Sequence, residues 1–241
     1  MHHLNIKKFK EDGYLHFPFL VSEQSCNDAL EIIDDDFHKN YKRKKEDEYQ
    51  SISFCPNIRN TPELKNLFLK SPLHAFTTQC FGEDNFSYGL PQIALRPPNK
   101  TPNQHLPPAH IDGLPQKKNG VKGKEIEPFS LLIGIFLSDI PSQNSGNLTV
   151  WKGSHTRLED HFQTHGKESL KRGMPNISLG TPKQLLCKKG DAILCHYQLA
   201  HAVAPNLSNN TRKAIYFRVS HKNVLKNRYH TLTHLWDGWR I

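Results

Sequence analysis

The stretch Phe129-Ser-Leu-Leu-Ile-Gly-Ile-Phe-Leu137 is a nearly continuous apolar run bounded by polar segments. A run of this length with no alternation predicts a strand buried on both faces, because a half-exposed strand would place a polar residue at every second position. It is far too short to span a bilayer as a helix. Short strand patterns follow on its C-terminal side: Leu148–Trp151 after a Ser/Asn/Gly turn at 142–147, then Leu185–Lys188, Ala192–His196 and Lys213–Ser220, with turns at Lys189-Gly190 and 206–210. On its N-terminal side Tyr88–Leu95 predicts one more strand, stopped by Pro97-Pro98, which cannot continue a central ladder. The first third of the chain has helical periodicity instead. Ser22 is placed to cap a helix carrying Cys26, Ala29, Leu30, Ile33 and Phe37 at 3-4 spacing. A short helix is expected at Ile6–Glu11 closed by Gly13, and others over 61–70 and 72–81. Many short strands around a polar centre, preceded by helices, predict a mainly β protein: a small barrel-like sandwich with a helical buttress.

A chain of 241 residues suits one domain and needs no disulfide staples. Its five cysteines are odd in number, scattered and free of CxxC pairs, which argues for a reducing compartment and against a cysteine zinc site. The start, MHHLNIKKFKEDG, has neither a signal peptide nor an anchor. A soluble, cytoplasmic protein is expected, with no membrane partner. The formal charge of +9 suits an anionic small-molecule substrate or a basic solvated surface; nucleic acid is disfavoured because no aromatic-interleaved basic stripe is present.

Chemistry concentrates in His110-Ile111-Asp112, with His201 and Arg212 downstream. In an extended segment residues i and i+2 project to one face, so His110 and Asp112 can grip one metal while Ile111 points away. Two histidines and one carboxylate form the facial triad of a non-heme Fe(II) that keeps positions open for a cosubstrate and O2. A downstream arginine offers a planar fork for a carboxylate such as that of 2-oxoglutarate. From the residues alone, His196 rivals His201 as the second histidine and Arg218 rivals Arg212, since both arginines sit at even spacing on one predicted strand. Gln92 and Arg96, on the strand before the metal motif, are candidates to touch cosubstrate or substrate. His105 is expected at the rim, His155 at a turn, and Trp151 and Phe136 in the core.

Four ordered segments resemble the phytanoyl-CoA dioxygenase family of Fe(II)/2-oxoglutarate oxygenases. They are Phe9–His16 with the helix start at Val21, the motif His110–Asp112, the segment Ser145–His155 with Lys152 where proline is usual, and Gly190–His196 followed by His201 and Arg212. The resemblance implies a double-stranded β-helix (jelly roll) in one oxygenase domain over 1–241: a mainly helical part to residue 85, a core over 86–221 and a C-terminal extension over 222–241. It implies His110, Asp112 and His201 as iron ligands and catalytic centre, and Arg212 as anchor of the distal carboxylate. The cofactors implied are Fe(II), 2-oxoglutarate and O2. The retained carboxylate of Asp112 favours hydroxylation of a C–H bond, since halogenating relatives carry a small residue there. Val203 stands where many relatives have a serine that helps hold the cosubstrate. The segment 115–128, with Lys117, Lys118, Lys122 and Lys124, is a candidate lid. Two other readings compete: a metal-binding jelly roll without catalysis, and a nucleic-acid-directed oxygenase. The oligomeric state and the identity of the substrate are not legible in the chain.

Overall fold

The computed structural model describes residues 4–99, 105–114, 125–224 and 226–241; the lid candidate therefore falls largely outside the described residues. Its strands are β1 (Tyr14–Phe17), β2 (Phe86–Tyr88), β3 (Gln92–Arg96), β4 (Leu131–Phe136), β5 (Leu148–Trp151), β6 (Pro182–Gln184), β7 (Ala192–His196), β8 (His201–Val203) and β9 (Arg212–His221). Its helices are α1 (Ile6–Asp12), α2 (Glu23–Asn40), α3 (Glu46–Ser51), α4 (Pro62–Leu69), α5 (Pro72–Phe81), α6 (Ser154–His165) and α7 (His230–Thr233). Antiparallel pairing sets β1, β7, β4 and β9 side by side, with β2 and β3 sharing the far edge of β9. A second sheet runs β6-β5-β8. The fold is a jelly roll with a helical layer on one side.

The apolar run is the hinge of this arrangement. Leu131, Ile133 and Ile135 of β4 pack with the helices, while Leu132 and Phe136 pack between the two sheets, so the strand is buried on both faces. Each such side chain removed from water contributes roughly 1.5–3 kcal/mol. The helical layer is set by local chemistry. The Asn5 side chain accepts from the Lys8 amide to start α1, and Ser22 accepts from the Ser25 amide to start α2. Gly13 ends α1 at φ +79°, and a Cβ there would lie 2.7 Å from His155 Nδ1, so only glycine lets the chain turn into β1. Lys213 on β9 ties α2 to the sheet through Asp34, 2.7 Å away.

Three sequence expectations need correction. The predicted strand Tyr88–Leu95 is two strands, because Pro91 lacks a donor and the Leu90 and Pro91 carbonyls turn out to receive the Arg59 guanidinium. The strand expected at Leu185–Lys188 lies earlier, at Pro182–Gln184. Of the later residues, Leu185 bonds Leu148 O and Cys187 forms an isolated bridge with Ile140, and the Asp191 carboxylate accepts from the Lys188 amide at the turn that follows. The strands β1 and β8 and the helix α6 were not anticipated. The first two are only four and three residues long, and α6 offers just Leu158 and Phe162 as a buried apolar pair in an otherwise polar stretch. No helix among the described residues is long and apolar enough to cross a membrane.

All five cysteines are buried and unpaired. Burial pushes the Cys26 thiol up to about 11 and those of Cys55 and Cys80 up to about 12; Cys187 and Cys195 are raised further. Because the thiolate is the reactive form, native protein at pH 8 is expected to leave an aromatic disulfide reagent almost unreacted over minutes, and to release all five thiols once unfolded in guanidinium. Rapid titration of one or more thiols in the folded protein would contradict this burial.

Candidate metal and cosubstrate site

The residues of the HxD motif join the small sheet by one isolated bridge. His110 and His201 exchange two backbone hydrogen bonds, 3.0 and 2.9 Å, which sets the two imidazoles side by side with ring centroids 4.6 Å apart. Asp112 follows two residues later and turns its carboxylate to the same point. Its Oδ1 lies 3.8 Å from His110 Nε2 and 3.6 Å from His201 Nε2, and one ligand atom from each residue lies within 4.8 Å of the others. A backbone carbonyl orients one of the rings: His201 Nδ1–H donates to Leu199 O at 3.0 Å. Such outer contacts fix which nitrogen is presented to a metal.

The electrostatics suit a cation. Burial would raise Asp112, but Arg218 and the two imidazoles outweigh it and hold the carboxylate ionised well below its usual range. Burial, helped by His201, pulls His110 down to about 4, so it is neutral at physiological pH. Burial also disfavours a charged His201, yet its contacts with Asp112 prevail and raise it. Two nitrogens and one ionised oxygen are the donor set that suits a non-heme Fe(II) with open positions.

Strand alternation supplies the floor of the site. Arg212, Ala214, Tyr216 and Arg218 face the space between the sheets from β9, opposite Gln92, Ala94 and Arg96 of β3. Arg212 is only 2% exposed. Its Nε donates to Gly146 O and its Nη1 to Ala94 O, both at 2.9 Å, while Nη2 is buried without a hydrogen-bond partner. A buried guanidinium with an idle donor is costly unless something occupies it, and a carboxylate matches its fork. Gly146 makes this possible: its φ is +75°, and a Cβ would sit 3.1 Å from Arg212 Cβ and 3.3 Å from Arg96 Cβ. The hydroxyls of Thr149, Tyr197 and Tyr216 are likewise buried without partners. The residues present thus fit an acidic cosubstrate as well as a metal.

Arg218 does something other than rival Arg212. Its Nε and Nη2 donate to Asp112 Oδ2 at 3.0 and 2.7 Å, and its Nη1 donates to Gln92 Oε1 at 2.9 Å. Gln92 therefore meets the site through Arg218. Arg96 stands directly across from Arg212, and burial together with that like charge pulls it down to about 10. It lines a cavity of about 310 Å³ with Glu46, His105 and Val203. His196 stands apart from the triad, buried against Trp236 and bonded to Leu235 O. His155, second residue of α6, bonds Lys10 O at 2.9 Å. Trp151 and Phe136 lie in the core between the sheets. Lys152, the departure from the usual proline, is ion-paired with Asp12 at 2.8 Å. Nothing in the sequence singled out Tyr197, Tyr216 or Thr149. Tyrosine and threonine at strand positions are ordinary, and only the interior count of idle hydroxyls marks them.

By sequence, no curated protein matches the chain. Solved structures share its fold. The non-heme α-ketoglutarate-dependent carbocyclase SnoK from nogalamycin biosynthesis superposes with TM-score 0.62 at 18% identity, covering 88% of this chain and 81% of that one. HygX from Streptomyces hygroscopicus with nickel and 2-oxoglutarate bound gives 0.60 at 16% identity over 91% and 88%. The same enzyme with nickel, 2-oxoglutarate and hygromycin B bound gives 0.55 at 15% over 90% and 88%. The model of the family described as phytanoyl-CoA dioxygenase matches residues 9–214, a span that holds the whole triad and Arg212. The chain belongs to the phytanoyl-CoA dioxygenase family and is an Fe(II)- and 2-oxoglutarate-dependent oxygenase.

Proposed function

We propose that His110, Asp112 and His201 hold the iron, that Arg212 anchors the distal carboxylate of 2-oxoglutarate, and that the enzyme hydroxylates a C–H bond of a small molecule. The observation that carries this reading is the convergence of the three ligand atoms within 4.8 Å, in a fold that also buries a guanidinium whose Nη2 is idle. Bound iron and cosubstrate supply the oxidising power: one O2 and one 2-oxoglutarate are consumed, succinate and CO2 are released, and one oxygen atom enters the substrate.

The chain's own contribution is placement. His110 offers a neutral nitrogen, and Leu199 O holds the Nδ1–H of His201 so that its Nε2 is the nitrogen left for the metal. Asp112 supplies the negative charge that offsets a divalent ion. Arg212, held by two backbone carbonyls, needs no reorganisation when a carboxylate arrives. The apolar interior around Leu132, Phe136 and Leu148 excludes water from the reacting centre. HygX is similar in fold and holds hygromycin B, which supports a small-molecule substrate here. Arg96, in the cavity beside the site, and the excess of basic residues favour a substrate with an anionic group.

The test is CO2 release from carboxyl-labelled 2-oxoglutarate. Fe(II)-dependent release by the wild type is expected, stimulated by the true substrate and reduced to background in His110→Ala. Equal release by His110→Ala and the wild type would sink the ligand assignment.

A further inference from the structure

We propose that Arg218 is the positioning residue of the site, fixing in one fork both the metal-facing carboxylate of Asp112 and the amide oxygen of Gln92. The inference rests on the ligand assignment above and extends it to a residue outside the ligand set.

Three of the five guanidinium N–H groups of Arg218 are accounted for: two on Asp112 Oδ2 and one on Gln92 Oε1. The first consequence concerns Asp112. Oδ2 is gripped by two donors, whereas Oδ1 is the oxygen that faces both imidazoles, at 3.8 and 3.6 Å. A carboxylate pinned this way presents one oxygen to a metal and cannot rotate to present two without losing a charge-assisted bond of 2.7 Å. One-oxygen ligation leaves a coordination position free that a chelating carboxylate would fill.

The second consequence concerns Gln92. An arginine has donors only, so the amide atom it meets must be the oxygen, and the amide orientation is forced rather than chosen. The Gln92 nitrogen then points away from Arg218 as a free donor on the β3 face that looks between the sheets. A lysine cannot do both tasks, because it is a point charge without a planar fork. Arg218 is itself supported. Its guanidinium lies over the Phe129 ring, 5.7 Å from the centroid, and its backbone lies within the β4–β9 ladder opposite Leu132. It is also reachable by solvent, with 40% of its side chain exposed, so its replacement opens no large cavity in the core.

The experiment is calorimetric titration of metal-free protein with Ni(II), then of the Ni(II)-loaded protein with 2-oxoglutarate, for wild type, Arg218→Met, Arg218→Lys and Gln92→Leu. Melting of each metal-free protein is the check on folding. Arg218→Met is expected to weaken Ni(II) about 10–100-fold, the usual loss when an outer partner of a ligand is removed, and to weaken 2-oxoglutarate as well. Gln92→Leu should leave Ni(II) binding within about twofold of wild type and weaken only 2-oxoglutarate, a separation that general loss of structure does not produce. Arg218→Lys should remain at least fivefold weaker than wild type for Ni(II), and its Co(II) visible spectrum should shift as the carboxylate is released. Wild-type Ni(II) affinity in Arg218→Met overturns the proposal, and so does full recovery of both affinities by lysine. Should Arg218→Met fail to fold, the lysine variant decides by the same criterion. Failure of the ligand assignment looks different: His110→Ala would then bind Ni(II) as the wild type does.

Discussion

Asp112→Ala is expected to weaken divalent metal binding more than about 100-fold and to abolish substrate oxidation. Loss of a partner outside the ligand set already costs 10–100-fold, and here a direct ligand is lost. Electrostatics adds to it. Asp112 is the one carboxylate of the His110–Asp112–His201 group, and the guanidinium bonded to it is that of Arg218. Without the carboxylate a divalent ion would face that guanidinium with no compensating charge. The variant should also melt differently, since Arg218 loses the acceptor of two of its hydrogen bonds; that side chain is 40% exposed, so water takes over much of the loss and the fold survives. Ni(II) or Co(II) titration of the metal-free protein measures the effect, with CO2 release as the activity readout. Retention of wild-type metal affinity would remove Asp112 from the site.

Arg212→Met acts on the other half of the chemistry. It is expected to raise the dissociation constant for 2-oxoglutarate by roughly 10- to 150-fold, the equivalent of losing one charge-assisted hydrogen bond at about 1.5–3 kcal/mol. Metal binding should stay within a few-fold of wild type, because Arg212 is not among the three ligands. The variant carries a stability cost, since the Gly146 and Ala94 carbonyls that it leaves behind are each worth about 1–3 kcal/mol when stranded. Retained Ni(II) affinity is therefore the control that separates loss of the anchor from loss of the fold. Arg212→Lys should not rescue it. A lysine cannot reach both carbonyls and still present a donor to a carboxylate. Unchanged 2-oxoglutarate affinity in Arg212→Met would assign the anchor elsewhere, with Arg96 the nearest guanidinium across the ladder.

Much of this site is legible in the chain, and for physical reasons. The HxD spacing matches the period of an extended segment, so one local rule brings His110 and Asp112 to one point. The even spacing of Arg212, Tyr216 and Arg218 follows the same period and puts them on one face of β9. What decides their separate jobs is not local. Arg212 faces Gly146 and Ala94, whereas Arg218 faces Asp112 and Gln92, and both sets of partners come from sheet register that no short-range pattern encodes. The long apolar run was equally legible as a strand with two buried faces. By contrast β1 and β8 are too short to show a period, and β8 nevertheless carries His201. Short strands of this kind are held by pairing with neighbours already in place, here β7 for β1 and β5 for β8. The break between β2 and β3 escaped the reading of Tyr88–Leu95 as one strand, although Pro91 lacks the donor a continuous ladder needs, and the helix α6, with one apolar pair, escaped as well.

The most direct measurement of the central claim is anaerobic titration of metal-free protein with Fe(II) and then 2-oxoglutarate, followed by visible absorption. If the triad holds iron and leaves positions open for a chelating keto acid, a charge-transfer band grows in on adding 2-oxoglutarate. It should saturate at one equivalent of iron, weaken in Arg212→Met and vanish in Asp112→Ala. Iron that binds to the wild type without any such band would contradict the account, and so would a band that Asp112→Ala leaves unchanged.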